Sequence, residues 1–116
     1  MSRKTREATL RRQAEVFAAL GDRIRLALVT KLGDGQPHSI SKLTEGSDVT
    51  RQAITKHLHV LEEVGLVRQM KSGRESLFTL NPEPLDEAQE ALQSMARQWD
   101  ETLGRLKSFL EDESSS

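Results

Sequence analysis

The chain has 116 residues, 35% of them hydrophobic and 30% charged, with no cysteine and a formal net charge of −1. That length supports one domain with a modest core, and the lack of cysteine excludes disulfides, thiolate metal sites and thiol redox switches. No stretch approaches the roughly 18 consecutive apolar residues of a membrane span, and the opening Met1-Ser-Arg-Lys-Thr-Arg-Glu7 lacks the apolar core of a signal peptide, so cytoplasmic residence is the default expectation.

The small net charge conceals an asymmetry. Residues 1–80 carry 14 Lys or Arg against 9 Asp or Glu, a balance of +5, whereas residues 81–116 carry 3 against 9, a balance of −6. A basic front and an acidic rear orient a molecule toward a polyanion.

In chain order, residues 1–6 read as a flexible basic leader. From Glu7 to Leu20, the apolar positions Leu10, Ala14, Phe17 and Leu20 recur at helical spacing and predict a first helix. Asp22 is placed to cap a second helix with Ile24, Leu26, Leu28, Val29 and Leu32 on its apolar face. Gly33-Asp-Gly-Gln-Pro37 closes that helix, and His38 beside Pro37 is expected to be an exposed turn residue. Ser39 or Ser41 begins a short third helix carrying Ile40 and Leu43.

Thr50 should cap a fourth helix with Ala53, Ile54, Leu58, Leu61 and Val64 facing inward and Gly65 ending it. Residues 66–71 and 75–80 read as two strands of a β-hairpin turning through Ser72-Gly73-Arg74, with Phe78 as its apolar anchor. After Asn81-Pro-Glu-Pro84, a last helix is expected from Leu85 to Leu110. Leu85, Leu92, Trp99 and Leu106 fall seven apart, Ala88, Met95, Thr102 and Phe109 form a neighbouring line, and Ala96, Leu103 and Leu110 broaden the stripe. Such a helix spans about 39 Å, at about 1.5 Å per residue, too long for a small domain to cover, which suggests pairing between subunits. Residues 111–116 read as a disordered tail.

The fold class expected is therefore mainly α with a small β-hairpin: a winged helix-turn-helix over residues 7–84, followed by a dimerisation helix over 85–110. In the fourth helix, Arg51, Gln52, Thr55 and Lys56 occupy the first turn and a half. Arg51 has the fork that matches guanine O6 and N7, and Gln52 the amide that matches the adenine edge. Thr55 and Lys56 suit either base edges or phosphate. Arg68, Lys71 and Arg74 place charge on the hairpin and, with His59, are expected to touch the DNA backbone. That would position the protein, with the helix supplying most discrimination. His57 lies two residues from His59, points elsewhere on a helix, and reads as a packing or locally hydrogen-bonded residue.

Three segments together resemble the ArsR family of bacterial winged-helix regulators: Phe17-Ala-Ala-Leu-Gly-Asp-Arg-Ile-Arg-Leu26, Ala53-Ile-Thr-Lys-His-Leu-His-Val-Leu-Glu-Glu-Val-Gly-Leu-Val67, and Gly73-Arg-Glu-Ser-Leu-Phe-Thr-Leu80 followed by Asn81-Pro82. The resemblance covers about residues 10–82. It implies a homodimeric repressor, joined through its terminal helices, on a partly palindromic double-stranded DNA operator. Leu10, Phe17, Leu85, Leu92, Met95, Ala96, Trp99, Leu103, Leu106 and Leu110 are then the expected dimerisation residues. An effector of unknown identity, or a change at the subunit hinge, would move the two reading helices out of register.

The chain departs from the metal-sensing branch, whose members use a cysteine pair before the reading helix or aspartate and histidine ligands across the last helices. Here there is no cysteine, and Asp86, Glu87, Glu90, Asp100 and Glu101 stand on the last helix without a histidine. No metal or cofactor is expected. Nor is catalysis, because scattered Ser39, Ser41 and Ser72 with isolated histidines form no nucleophile–base pattern. The competing reading is a helical adaptor that uses the winged fold to bind proteins.

Overall fold

Ser2, Asp22, Ser39 and Thr50 start four helices in the same way, each from extended backbone with a side-chain oxygen accepting from an amide of the first turn. In the computed structural model, which describes residues 2–115, these helices are α1 (Arg3–Leu20), α2 (Arg23–Leu32), α3 (Ile40–Thr44) and α4 (Arg51–Glu63). The strands are β1 (His38–Ser39), β2 (Val67–Ser72) and β3 (Glu75–Leu80), and α5 (Glu83–Ser115) closes the chain.

The helix ends depart from expectation for identifiable reasons. The basic leader is helical from Arg3, because Ser2 caps it, no breaker follows, and Arg3 pairs with Glu7 at 3.5 Å. At the other end, α5 begins at Glu83 rather than Leu85, since a proline in the first turn gives up an amide that has no helical partner anyway. It then runs to Ser115, well past the expected end at Leu110, so the segment read as a disordered tail is helical as far as it is described. Gly65 behaves as expected. With φ of 80° it ends α4, while the Leu66 amide donates to the Leu61 carbonyl at 2.9 Å and the Gly65 amide to that of Glu62 at 3.0 Å.

The sheet has one more strand than the sequence suggested. Its order is β1-β3-β2, antiparallel throughout. The hairpin pairs Val67 with Leu80 through to Ser72 with Glu75, which leaves a two-residue loop, Gly73-Arg74, with Gly73 at φ 63° as a II′ turn requires. β1 adds only His38 and Ser39, opposite Phe78 and Leu77. Two residues are too few to display alternation, so the strand left no pattern to find. His38 is accordingly not an exposed turn residue. Its side chain is mostly covered, and Nε2 lies 2.9 Å from an Asp34 carboxylate oxygen.

The core joins Leu28 and Leu32 of α2, Leu43 of α3, Ile54, Leu58 and Leu61 of α4, Leu66 and Val67, Phe78 of β3 and Ala88 of α5. The inward stripe of α4 and the Phe78 anchor are as expected. The face of α1 is rotated from the expected one: Val16 and Ala19 are buried with Phe17 and Leu20 beside them, while Leu10 and Ala14 face solvent. Leu26, assigned to the inner face of α2, is exposed. Asn81 ties the end of β3 to the α4–β2 turn, its amide donating to the Gly65 carbonyl at 2.9 Å.

Leu58 is fully buried, so Leu58→Ala should cost about 2–5 kcal/mol in chemical denaturation; a loss below about 1 kcal/mol would show that α4 is not clamped to the core. The Asp22 carboxylate accepts from the amides of Arg25 (3.0 Å) and Ile24 (2.9 Å). The Arg25 amide above all, then the neighbouring His57 and the Ile24 amide, hold its pKa below the ordinary 3.8 against the opposing cost of desolvation. A depressed carboxylate stabilises fully above its unfolded value and loses that contribution as pH falls through its folded value. The stability advantage of the wild type over Asp22→Asn should therefore be constant at neutral pH and shrink below pH 3.8; an advantage that persists at lower pH would contradict the assignment.

Candidate nucleic-acid interface

Because Ile54, Leu58 and Leu61 turn inward, α4 presents its opposite side to solvent. Arg51, Gln52, Thr55, Lys56 and His59 line a single open depression on that side, as the spacing i, i+1, i+4, i+5, i+8 requires. All but Thr55, which is half-buried, are exposed. The Thr55 hydroxyl donates to the Arg51 carbonyl at 2.9 Å, so its proton is engaged and its oxygen is left as an acceptor. The Arg51 guanidinium donates to Ser41 Oγ of α3 at 3.1 Å, which holds the fork at the mouth of the depression. The Thr50 hydroxyl accepts from the Ala53 amide at 3.1 Å and its carbonyl from the Ile54 amide at 3.0 Å, and the amides of Arg51 and Gln52, in the first turn, have no acceptor within the helix. Together with the helix dipole they favour an anion there.

The hairpin divides its cations. Strand alternation sets Arg68 and Met70 on one face, opposite Thr79 and Leu77, and Lys71 with Gln69 on the face that also carries Phe78. Gln69 donates to Ser76 Oγ at 2.9 Å on that second face. Arg74 stands at the loop and shares a small cleft with Arg51, Ser39, Ser41 and Glu75. The fold thus brings Arg51 and Arg74 together, keeps Lys71 near the same end of the hairpin, and sets Arg68 apart at its base.

His57 faces away from this surface. Its Nδ1 lies 3.3 Å from Arg25 Nη1 and 3.7 Å from Asp22 Oδ2. Arg25 also donates to the carbonyls of Ala19 (2.6 Å, from Nε) and Ala18 (3.3 Å, from Nη2) at the end of α1. The packing reading of His57 holds, since the residue is half-buried on the inner side of α4, but its hydrogen-bond partner is distant in the chain rather than local. Arg25 and Ser41 escaped the sequence reading because their partners are 32 and 10 residues away in the chain. Only the pairing of Asp22 with a cation three residues later hinted at the first.

A second surface lies on α5. α1 packs on its opening turns around Ala88, and Leu85 and Phe17 pack against the core. Beyond them Leu92, Met95, Trp99, Leu103, Leu106, Phe109 and Leu110 stand 45% to 64% exposed along one helix, Ala96 is exposed among them, and Leu10 of α1 is 65% exposed. Among the described residues no group of three or more His, Asp or Glu side chains is placed to hold a metal, and no helix is long and apolar enough to cross a membrane.

Residues 20–69, from the end of α1 through α2, α3 and α4 into the first half of β2, match a helix-turn-helix domain model. The chain is 37% identical over 76 residues to the uncharacterized HTH-type transcriptional regulator YuzN of Bacillus subtilis (strain 168), covering 60% of this chain and 83% of that protein. It is 29% identical over 83 residues to the arsenical resistance operon repressor of the same organism, covering 72% and 79%. Among solved structures, an ArsR-like transcriptional regulator from Rhodococcus sp. RHA1 superimposes with a TM-score of 0.76 at 36% identity, covering 88% of this chain and 95% of the other. Sequence, fold and exposed surface agree: the chain belongs to the ArsR family of winged helix-turn-helix, DNA-binding transcriptional regulators.

Proposed function

We propose that the protein works as a homodimeric repressor that holds an inverted-repeat operator by inserting α4 of each subunit into the major groove. The observation that carries this reading is the outward side of α4, where Arg51, Gln52, Thr55, Lys56 and His59 converge with nothing apolar among them. Arg51 and Gln52 supply the bidentate chemistry for guanine and adenine edges, Thr55 and Lys56 contact bases or phosphate beside them, and His59 lies against the backbone. Lys71 and Arg74 grip phosphates from the hairpin, with Arg68 reaching a more distant phosphate from the hairpin base.

Dimerisation is supported by the internal symmetry of the α5 stripe. Two copies of α5 laid antiparallel and centred on Trp99 set Leu92 against Leu106, Met95 against Leu103, and Arg97 against Glu101. Such an isologous pairing buries the exposed stripe and matches charge at its flanks. It also fixes the separation of the two α4 helices, which must be about 34–36 Å to enter successive major grooves. Occupying the operator blocks transcription. An effector of unknown identity that shifts one subunit against the other would relieve the block.

Arg51→Ala should weaken binding to sequences selected from a randomised duplex library by about 1–3 kcal/mol while barely changing random-duplex binding; equal losses on both would remove Arg51 as a base reader. Arg74→Ala should weaken both and lower the slope of log affinity against log salt by about 1, and an unaltered slope would remove the wing contact. Leu92→Asp combined with Leu103→Asp should convert the dimer to monomer in sedimentation, while an intact dimer would place the interface elsewhere.

A further inference from the structure

The geometry points to Arg25 and His57 as a proton-gated positioning contact that sets the angle of α4 against α1. This inference rests on α4 being the DNA-reading helix. Arg25 sits in the first turn of α2 yet is anchored to α1 through the Ala19 and Ala18 carbonyls. Its remaining nitrogen, Nη1, reaches His57 on the inner side of α4. One planar guanidinium therefore ties the end of the helix that packs on α5 to the helix that carries the reading surface.

As a hydrogen bond from Arg25, that contact admits one protonation state of the ring. Arginine has only donors, so Nδ1 of His57 must accept, which requires the neutral ring with its proton on Nε2. Protonating Nδ1 removes the acceptor and sets two cations 3.3 Å apart. Asp22 Oδ2 lies 3.7 Å from the same nitrogen and is the acceptor a protonated ring would turn to. Among the described residues, Arg25 and Asp22 are the charged groups placed against Nδ1 of the ring; Lys42 of α3 is paired with Glu45, and Arg68 and Lys71 of β2 are exposed. On α4 itself, Lys56 and His59 point to the opposite, outward side. In the neutral state α4 is held by Arg25. In the protonated state it is held by the α2 cap and released from α1, so the two reading helices of a dimer lose their fixed relation. Selective binding weakens as pH falls and the His57 ring takes up its second proton.

The test compares wild type, His57→Gln and Arg25→Lys. General charge effects on DNA affinity cancel in the ratio of affinities for a library-selected duplex and a random duplex, measured from pH 8 to 5.5. For the wild type this ratio should fall by about fivefold or more, the usual lower range of coupling between sites. For His57→Gln it should be flat. Arg25→Lys keeps the charge but not the fork and should show a reduced ratio even at pH 8, with the helical circular dichroism unchanged. In the free protein, the backbone amides of Ala18 to Gly21 and of α4 should shift with one shared midpoint in NMR titration and cease to do so in His57→Gln. A wild-type pH slope surviving in His57→Gln, or α1 amides that ignore the His57 titration, would overturn the inference. Failure of the wild type to select any duplex would instead overturn the reading of α4, while the amide titration would still decide whether the contact is gated.

Discussion

Withdrawal of Ile54, Leu58 and Leu61 from water on one side of α4 is the interaction on which the rest of the molecule depends. Burying that stripe against Leu32, Leu43 and Phe78 fixes the rotation of the helix about its own axis, and only then do Arg51, Gln52, Lys56 and His59 share a side. α3 stands beside the start of α4 and supplies Ser41 to steady Arg51. The three-stranded sheet covers the other flank of the core with Phe78 and extends a hairpin whose loop brings Arg74 to the same opening. Each element around α4 is thus accounted for by what it adds to one presented surface.

The molecule is long, 74 by 36 by 21 Å, because α5 runs on past the core. At about 1.5 Å per residue its 33 residues span roughly 50 Å, and only the opening turns are packed against α1. The remaining apolar stripe stays open along one side of the helix, as interaction surfaces do, and its near-palindromic order around Trp99 suits a second copy of itself. Between this stripe and the reading surface the covalent path is long, but the packed path is short. It passes from α5 to α1, and from the end of α1 through Arg25 to His57 on α4. The proton-gated contact proposed above lies on that path.

Much of this was legible in the amino acids because it is governed by local rules. Asp22 and Thr50 announce helix starts, Gly65 a helix stop, and Gly73 a tight hairpin, each from the backbone chemistry of one residue. The stripe of α4 repeats cleanly enough to give its orientation. What escaped was set by contacts distant in sequence. β1 exists because β3 offers an unpaired edge, and His38 is covered as a consequence. α1 offered two apolar stripes; the packing partners on α2 and α5 chose Val16 and Ala19 over Leu10 and Ala14. Leu26 satisfies helical periodicity but faces outward, since a helix of ten residues in a small domain can bury only part of an apolar face. The side chains of Arg25 and Ser41 gain their roles from partners that no periodicity connects.

The most direct test of the claim that α4 enters the major groove is methylation interference on a duplex enriched by the protein from a random library. Methyl groups at guanine N7 block the major-groove edge without altering phosphates. The account requires interference confined to two major-groove segments about one helical turn apart on one face of the duplex. Undiminished binding to fully methylated, correctly selected DNA would contradict it.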